Sequence, residues 1–197
     1  MKKFTNLSSH LVPLVRDNID TDQIIPARFL KVTDKQGLGE KLFSDWRYLE
    51  SGEPNPDFPL NFPTSQGAQI LLAGHNFGSG SSREHAPWAL VAWGFRVVVA
   101  LSFADIFENN ALKNGLLPVR IDAKSHAALA ATVQKQPASQ VTIDLQAQRL
   151  TLPDGSHADF PLEPFSKHCL VEGIDELEYI LAHEKQIAAY EQQDVHG

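Results

Sequence analysis

Two short apolar runs, residues 69–73 and the valine-rich 95–101, are separated by a glycine and serine loop and then a helix-forming stretch. This order constrains the chain more than any other feature. Strand, loop, helix, strand is the unit of a parallel sheet, because parallel neighbours need a crossover and a helix supplies it. Ligands of such sheets lie beyond the carboxyl ends of the strands. The loop, GHNFGSGSSREHA at residues 74–86, occupies that position. Its Gly78 and Gly80 permit positive φ and let a ligand approach the main chain closely. Pro87 is tolerated in a helix only in the first turn, so the helix is expected to start near Ser82. Its free N–H groups would then point into the serine loop, a setting suited to a carboxylate or phosphate.

Spacing excludes three familiar versions of such a loop. A nucleotide phosphate loop needs a lysine after its last glycine, and none lies between Gly74 and Glu84. A dinucleotide fingerprint begun at Gly78 and Gly80 would need a third glycine where Arg83 stands. Neither Ser81 nor Ser82 has glycine both two residues before and two after it, as a hydrolase nucleophile elbow requires. A flexible linker is the bland alternative. The strand before the loop and the helix after it count against that.

Elsewhere the pattern repeats. A helix over 104–114, ended by Gly115, leads to a strand over 116–121, and 123–134 reads as a further helix. Residues 140–145 and 149–152 flank a turn and read as a hairpin. Residues 11–25 begin as a strand and pass into a polar turn with Asp17, Asn18, Asp20, Thr21 and Asp22. That turn lacks the glycine and closing glutamate of an EF-hand, so capping is the ordinary role of its aspartates. Prolines at 54, 56, 59 and 63 deny regular structure to 51–63, which reads as an ordered surface excursion, a lid or a contact surface. Near the end, Ile174, Leu177, Ile180, Leu181, Ile187 and Ala188 have helical spacing, with Asp175 and Glu176 in the first turn. This amphipathic helix, about 173–192, is expected to pack on its own domain, and the last six residues to fray. The fold class is therefore α/β, built of βαβ units, in one domain over 1–197 with the terminal helix as an appendage.

Composition narrows the functions. At 197 residues and 43% hydrophobic content the chain can bury a core. A net charge of -7 without a basic cluster argues against a nucleic-acid partner. There is no membrane-length apolar stretch and no apolar core of a secretory signal near the start, so a cytoplasmic location without a membrane partner is expected. The one cysteine, Cys169, excludes an internal disulfide and cannot alone hold an iron–sulfur cluster; beside Leu170 and Val171 it reads as a buried small side chain. The eight histidines form no HExxH pattern and no Cys/His zinc spacing, so no metal site is expected on this chain.

The loop has one evident chemistry. A serine hydroxyl is a poor base in water, but its alkoxide is stabilised at a helix N-terminus beside a guanidinium, and Ser81 is best placed for this. Such a base suits removal of a proton from carbon next to a carboxylate when other groups stabilise the developing charge. Arg83 offers a two-point contact to a substrate carboxylate. His85 is read as a helix-surface or supporting residue, with a catalytic role left open, and Glu84 as support for the helix start.

GSGSSREHA, with SFADIFENNALKNGLLPV at 102–119 and DNIDTDQIIPARFL at 17–30, closely resembles the swivel domain of the aconitase superfamily, over nearly the whole chain. Standing alone at this length, the chain resembles the small subunits of the family's isopropylmalate dehydratases. The resemblance implies a swivelling β/β/α fold and no cofactor on this chain. It also implies a large-subunit partner carrying a [4Fe-4S] cluster and a small dicarboxylate substrate. Residue by residue, Ser81 matches the base that takes the carbon-bound proton, Arg83 a substrate-binding arginine that supports it, and Ser82 a neighbour that contributes to the site. Asp22 matches an aspartate close to both, while Asp20 and Thr21 remain structural in this reading. Gly80 leaves the main chain open to substrate. Aconitase has a further substrate arginine, and here Arg28 stands at a shorter spacing. A moved arginine fits a substrate with an isopropyl group in place of a third carboxylate, since an unpaired guanidinium beside an apolar group is costly. Phe29, Leu30 and Val32 are then candidates for the apolar side of the pocket. Alternatives are a subunit of a related dehydratase, acting on homocitrate, citraconate or dimethylmalate, and a stand-alone dicarboxylate-binding regulatory module.

Overall fold

The computed structural model describes residues 1–30, 37–184, 186 and 190. Asn6–Ser9 (β1) belongs to an antiparallel sheet, and after His10 the chain continues as Leu11–Leu14 (β2) in a second, parallel sheet. Three single-turn helices follow, Thr21–Ile24 (α1), Leu38–Lys41 (α2) and Ser44–Arg47 (α3). Then come Ile70–Ala73 (β3), His85–Trp93 (α4), Val97–Ala100 (β4), Asp105–Lys113 (α5) and Leu117–Arg120 (β5). Strands β2 to β5 lie parallel in chain order, with Leu11, Ile70, Val97 and Leu117 in register. Ala123–Lys135 (α6) leads back to the antiparallel sheet, where Val141–Asp144 (β6), Arg149–Thr151 (β7) and His157–Asp159 (β8) complete the order β1-β6-β7-β8. Pro164–Glu172 (α7) and Glu176–Ala182 (α8) follow.

The two faces of the parallel sheet bury different partners. Val12, Leu14, Leu71, Ala73, Val98 and Ala100 pack with Ala89 and Leu90 of α4 and with Phe107 and Ala111 of α5. Their alternate neighbours Leu11, Ile70, Leu72, Val97 and Val99 pack with Leu129 of α6 and with Val141, Ile143 and Leu150 of the antiparallel sheet. The result is the β/β/α layering that the resemblance implied. It also explains why β3 and β4 read as unbroken apolar runs: both faces are covered, so no position can be polar. The βαβ units, the helix before Gly115 and the hairpin all stand where the sequence placed them. No described helix is long and apolar enough to cross a membrane.

Helix α4 starts at His85 rather than near Ser82. The Arg83 N–H turns back to the Ser81 carbonyl at 2.8 Å, and the first helical bond runs from the Trp88 N–H to the Glu84 carbonyl at 3.1 Å. Pro87 is then third in the helix, where no N–H is required. The end of the chain also differs from expectation. Gly173, at φ +71°, closes an additional helix, α7, and the expected helix begins only at Glu176, with Asp175 as its N-cap, in a capping box with Glu178, rather than a first-turn residue. Helix α8 does rest on its own domain, but thinly: Tyr179 packs edge-on against Phe165 of α7 with centroids 4.9 Å apart and Glu176 pairs with Lys113 of α5 at 3.4 Å, while none of its residues is buried and Leu177, Ile180 and Leu181 are 63%, 53% and 58% exposed. Ile187, Ala188 and the last six residues lie outside the described residues.

Residues 51–63 hold no strand or α-helix, as their prolines require, but they are anchored. A 3-10 turn at Pro59–Asn61 buries Leu60, Phe58 sits in the core, and Asn61 Nδ2 donates to the Arg47 and Asn55 carbonyls at 2.7 and 2.9 Å. These contacts tie the excursion to the body of the domain.

Candidate active site

The loops that leave β2 and β3 run side by side beyond the carboxyl edge of the parallel sheet. The Asn18 N–H donates to the His75 carbonyl at 2.8 Å, the Gly78 N–H to Ile19 at 2.7 Å, and the Thr21 N–H to Ser79 at 2.8 Å. From the other side, the loop after β4 receives the Phe77 N–H on the Ser102 carbonyl at 3.0 Å and the Asn76 N–H on Ser102 Oγ at 2.8 Å. The serine loop is therefore stitched to both neighbours up to Ser79. Beyond it, the N–H groups of Gly80, Ser81 and Ser82 have no acceptor among the described residues. Three adjacent free donors beside an arginine are a setting suited to an anion.

Glycine is required at two places here. Gly78 has φ +79°, and a Cβ on it would stand 2.1 Å from Cγ of Phe107, a ring packed edge-on against Phe77 with centroids 5.1 Å apart. Gly78→Ala is expected to lower stability by about 3 kcal/mol, the sum of left-handed strain and overpacking in a core. An unshifted urea midpoint would show that the loop can move off Phe107. Gly80, at φ +96°, faces Thr21, whose Oγ1 would be 3.3 Å from its Cβ.

Helix α1 is the element that assembles the site. Its N-cap Asp20 accepts from the Gln23 N–H at 2.8 Å while Gln23 Oε1 accepts from the Asp20 N–H at 2.9 Å, so one turn of helix is held rigidly. Thr21, 1% exposed, brings its Oγ1 to 3.2 Å from the Ser81 carbonyl and 3.4 Å from Ser81 Oγ. Asp22 forms an ion pair with Arg83 Nη1. The Arg83 side chain is 23% exposed and that of Asp22 55%, so the guanidinium is sheltered and the carboxylate faces water. Ser81, with its hydroxyl at the surface, stands between these two contacts.

Ser81, Arg83, Asp22 and Gly80 are thus brought together. Ser82 lies exposed beside them, with no side-chain hydrogen bond among the described residues. Arg28 is engaged elsewhere: its guanidinium pairs with Asp45 and donates to Ser44 Oγ at 3.3 Å, and the hydrogen bond to Asp45 raises its pKa. The Phe29 ring lies under Arg28, 4.6 Å from the guanidinium, and 5.6 Å from the Lys41 ammonium, so it is not a bare apolar wall. Leu30 is half-buried against the core, and Val32 lies outside the described residues. His85 tilts against Trp88 at 4.7 Å, on its own helix. Sequence reasoning left Thr21 with a structural role only, because its contact with Ser81 spans 60 residues and no local pattern announces it.

Cluster ligation does not fit this chain. An iron–sulfur cluster takes three or four protein ligands, usually thiolates, and the single thiol, Cys169, is buried on α7 with its pKa raised by burial first and by Glu176, Asp175 and Glu163 after it. Among the described residues no group of three or more His, Cys, Asp or Glu is placed to hold a metal.

A parallel sheet with a serine and arginine loop at its carboxyl edge, backed by an antiparallel sheet, is the architecture of an aconitase-type domain. Residues 1–124 match the family of the aconitase C-terminal domain and residues 127–164 match LeuD_N. The 3-isopropylmalate dehydratase small subunit of Anaeromyxobacter dehalogenans strain 2CP-1 is 59% identical over 191 residues, covering 97% of this chain and 98% of that protein. The subunit of the same name from Roseiflexus sp. strain RS-1 is 55% identical, covering 97% and 94%. A crystal structure of 3-isopropylmalate dehydratase (leuD) from Methanocaldococcus jannaschii matches with a TM-score of 0.67 at 25% identity, over 94% of this chain and 99% of that one. The chain belongs to the aconitase C-terminal domain family and, within it, to the 3-isopropylmalate dehydratase small subunits.

Proposed function

We propose that this chain is the part of a heteromeric hydro-lyase that converts 2-isopropylmalate to 3-isopropylmalate through isopropylmaleate, and that Ser81 is its base. The observation that carries the proposal is the convergence of Ser81 and Arg83 on one rigid turn of helix, in a chain 59% identical to small subunits of that name. Ser81 takes the carbon-bound proton next to one carboxylate. The hydroxyl on the neighbouring carbon departs to groups this chain does not supply, and a double bond forms. Rehydration in the opposite sense returns the proton from Ser81 and places the hydroxyl on the other carbon. Arg83 binds a carboxylate through the guanidinium face not used by Asp22, and the free N–H groups at Gly80 and Ser82 line the same edge. Asp22 aims the guanidinium. The cluster expected for the family belongs to a large-subunit partner, and a cytoplasmic location suits a biosynthetic enzyme of small acids.

Hydration of isopropylmaleate, followed by loss of its ultraviolet absorbance, tests this with the chain mixed anaerobically with a cluster-loaded large subunit and with each chain alone. Activity only in the mixture is the expected result. A formed complex with an intact cluster and no turnover would assign another substrate, and no complex at all would leave a stand-alone dicarboxylate-binding module. For the apolar side of the substrate, Leu30→Arg is expected to shift preference from isopropylmaleate toward a tricarboxylate analogue. An unchanged ratio of kcat/KM values would remove Leu30 from the pocket.

A further inference from the structure

We propose that Thr21 is a positioning residue for Ser81: its hydroxyl fixes the serine side chain and donates to it when Ser81 loses its proton. This rests on Ser81 being the base. Two backbone hydrogen bonds hold Thr21, its N–H on the Ser79 carbonyl at 2.8 Å and its carbonyl receiving the Ile25 N–H at 3.0 Å, and the capping box between Asp20 and Gln23 stiffens the turn around it. A threonine on a helix divides between two rotamers, and the two contacts with Ser81 select one of them. At 1% exposure it has no water to turn to. Both of its polar contacts are with Ser81, 3.2 Å to the carbonyl and 3.4 Å to Oγ.

A threonine hydroxyl has one proton and two acceptor lone pairs. With Ser81 neutral, that proton rests on the Ser81 carbonyl, and the Ser81 hydroxyl can donate to Thr21 Oγ1. Once Ser81 has given its proton to the isopropylmaleate carbon during hydration, rotation about the Cβ–Oγ bond of Thr21 moves the Thr21 proton from the carbonyl to the alkoxide without any movement of heavy atoms. A hydrogen bond to the charged form favours that form. Gly80 keeps the space open, since any side chain there would crowd Thr21 Oγ1 at 3.3 Å. The ion pair of Asp22, one residue after Thr21, with Arg83, two after Ser81, ties the two segments together beside this contact.

Valine keeps the shape of threonine and removes the hydroxyl. In the complex with the cluster-loaded large subunit, Thr21→Val is expected to lower kcat for isopropylmaleate hydration about 10- to 100-fold, the range of one hydrogen bond to a charged group, with KM within about twofold. Thr21→Ser should restore most of kcat. In the full-length small subunit, Hα–Hβ couplings of Ser81 by NMR should report one rotamer in the wild type and in Thr21→Ser, and averaging in Thr21→Val. Unchanged couplings in Thr21→Val, unchanged kcat, or a loss confined to KM would each overturn the proposal. A wild-type complex that fails to hydrate isopropylmaleate would instead sink the functional reading, and the couplings would still decide whether Thr21 fixes Ser81.

Discussion

Ser81→Ala is expected to reduce isopropylmaleate hydration by about 10³-fold or more while leaving the complex with the large subunit intact, because a positioned general base contributes roughly 10²–10⁴-fold to such a step. The separation of the two effects follows from where Ser81 sits. Its side chain is exposed, and its hydroxyl contacts only Thr21 among the described residues. The bonds that hold the loop in place belong to other atoms, the Gly78 and Thr21 N–H groups, the Ser79 carbonyl and the Ser81 carbonyl, and these survive the substitution. Alanine therefore removes a proton acceptor and little else. The measurement is kcat with saturating isopropylmaleate, beside the elution position of the complex. Turnover within a few-fold of wild type would deny Ser81 the role of base. Loss of the complex would make the loop a structural part of the interface.

The sequence carried the parallel sheet because a strand buried on both faces must be apolar throughout, and Ile70–Ala73 and Val97–Ala100 leave no other reading once a helix separates them. The antiparallel sheet was legible only where a tight turn joins its strands, at Val141–Asp144 and Arg149–Thr151. Strand β1 pairs with β6 more than 130 residues away, through contacts such as Ser8 Oγ to Thr142 Oγ1 at 2.7 Å, and β8 is three residues long. Neither leaves a local pattern. Helix α7 was obscured by Pro164 and by a chain of mixed character with little segregation of apolar residues, although Pro at the start and Gly173 at the end mark it in hindsight.

The site divides in the same way. Ser81, Arg83 and the glycines form a contiguous motif whose residue types state their chemistry. Asp22 needed the family resemblance, because three aspartates in six residues look alike until one of them meets an arginine 61 positions away. Arg28 shows the converse. As a lone arginine it fitted the need for a second anion contact, and only Asp45 and Ser44, folded against it from α3, reveal that its donors are already engaged.

Arg83→Lys is expected to lower kcat/KM about 100-fold, which corresponds to the loss of one charge-assisted hydrogen bond of about 3 kcal/mol. Asp22 decides the outcome. In the wild type one guanidinium nitrogen meets Asp22, and the planar fork leaves its remaining N–H groups for a substrate carboxylate in a fixed direction. An ammonium has no such fork. It can stay with Asp22, which is 55% exposed and keeps its charge toward water, or turn to the substrate, and either choice loses a contact that arginine makes at the same time. The loss should fall largely on KM, because a carboxylate contact is present in ground state and transition state alike. Ser81→Ala falls on kcat, so the pair of variants separates binding from proton transfer. Asp22→Asn gives the control: with its anchor neutral, Arg83 should still bind substrate, but less well oriented, with a smaller rise in KM than Arg83→Lys. A lysine variant with KM and kcat both near wild type would mean that the free donors at Gly80, Ser81 and Ser82 suffice for the carboxylate, and that Arg83 serves only to tie the loop to α1.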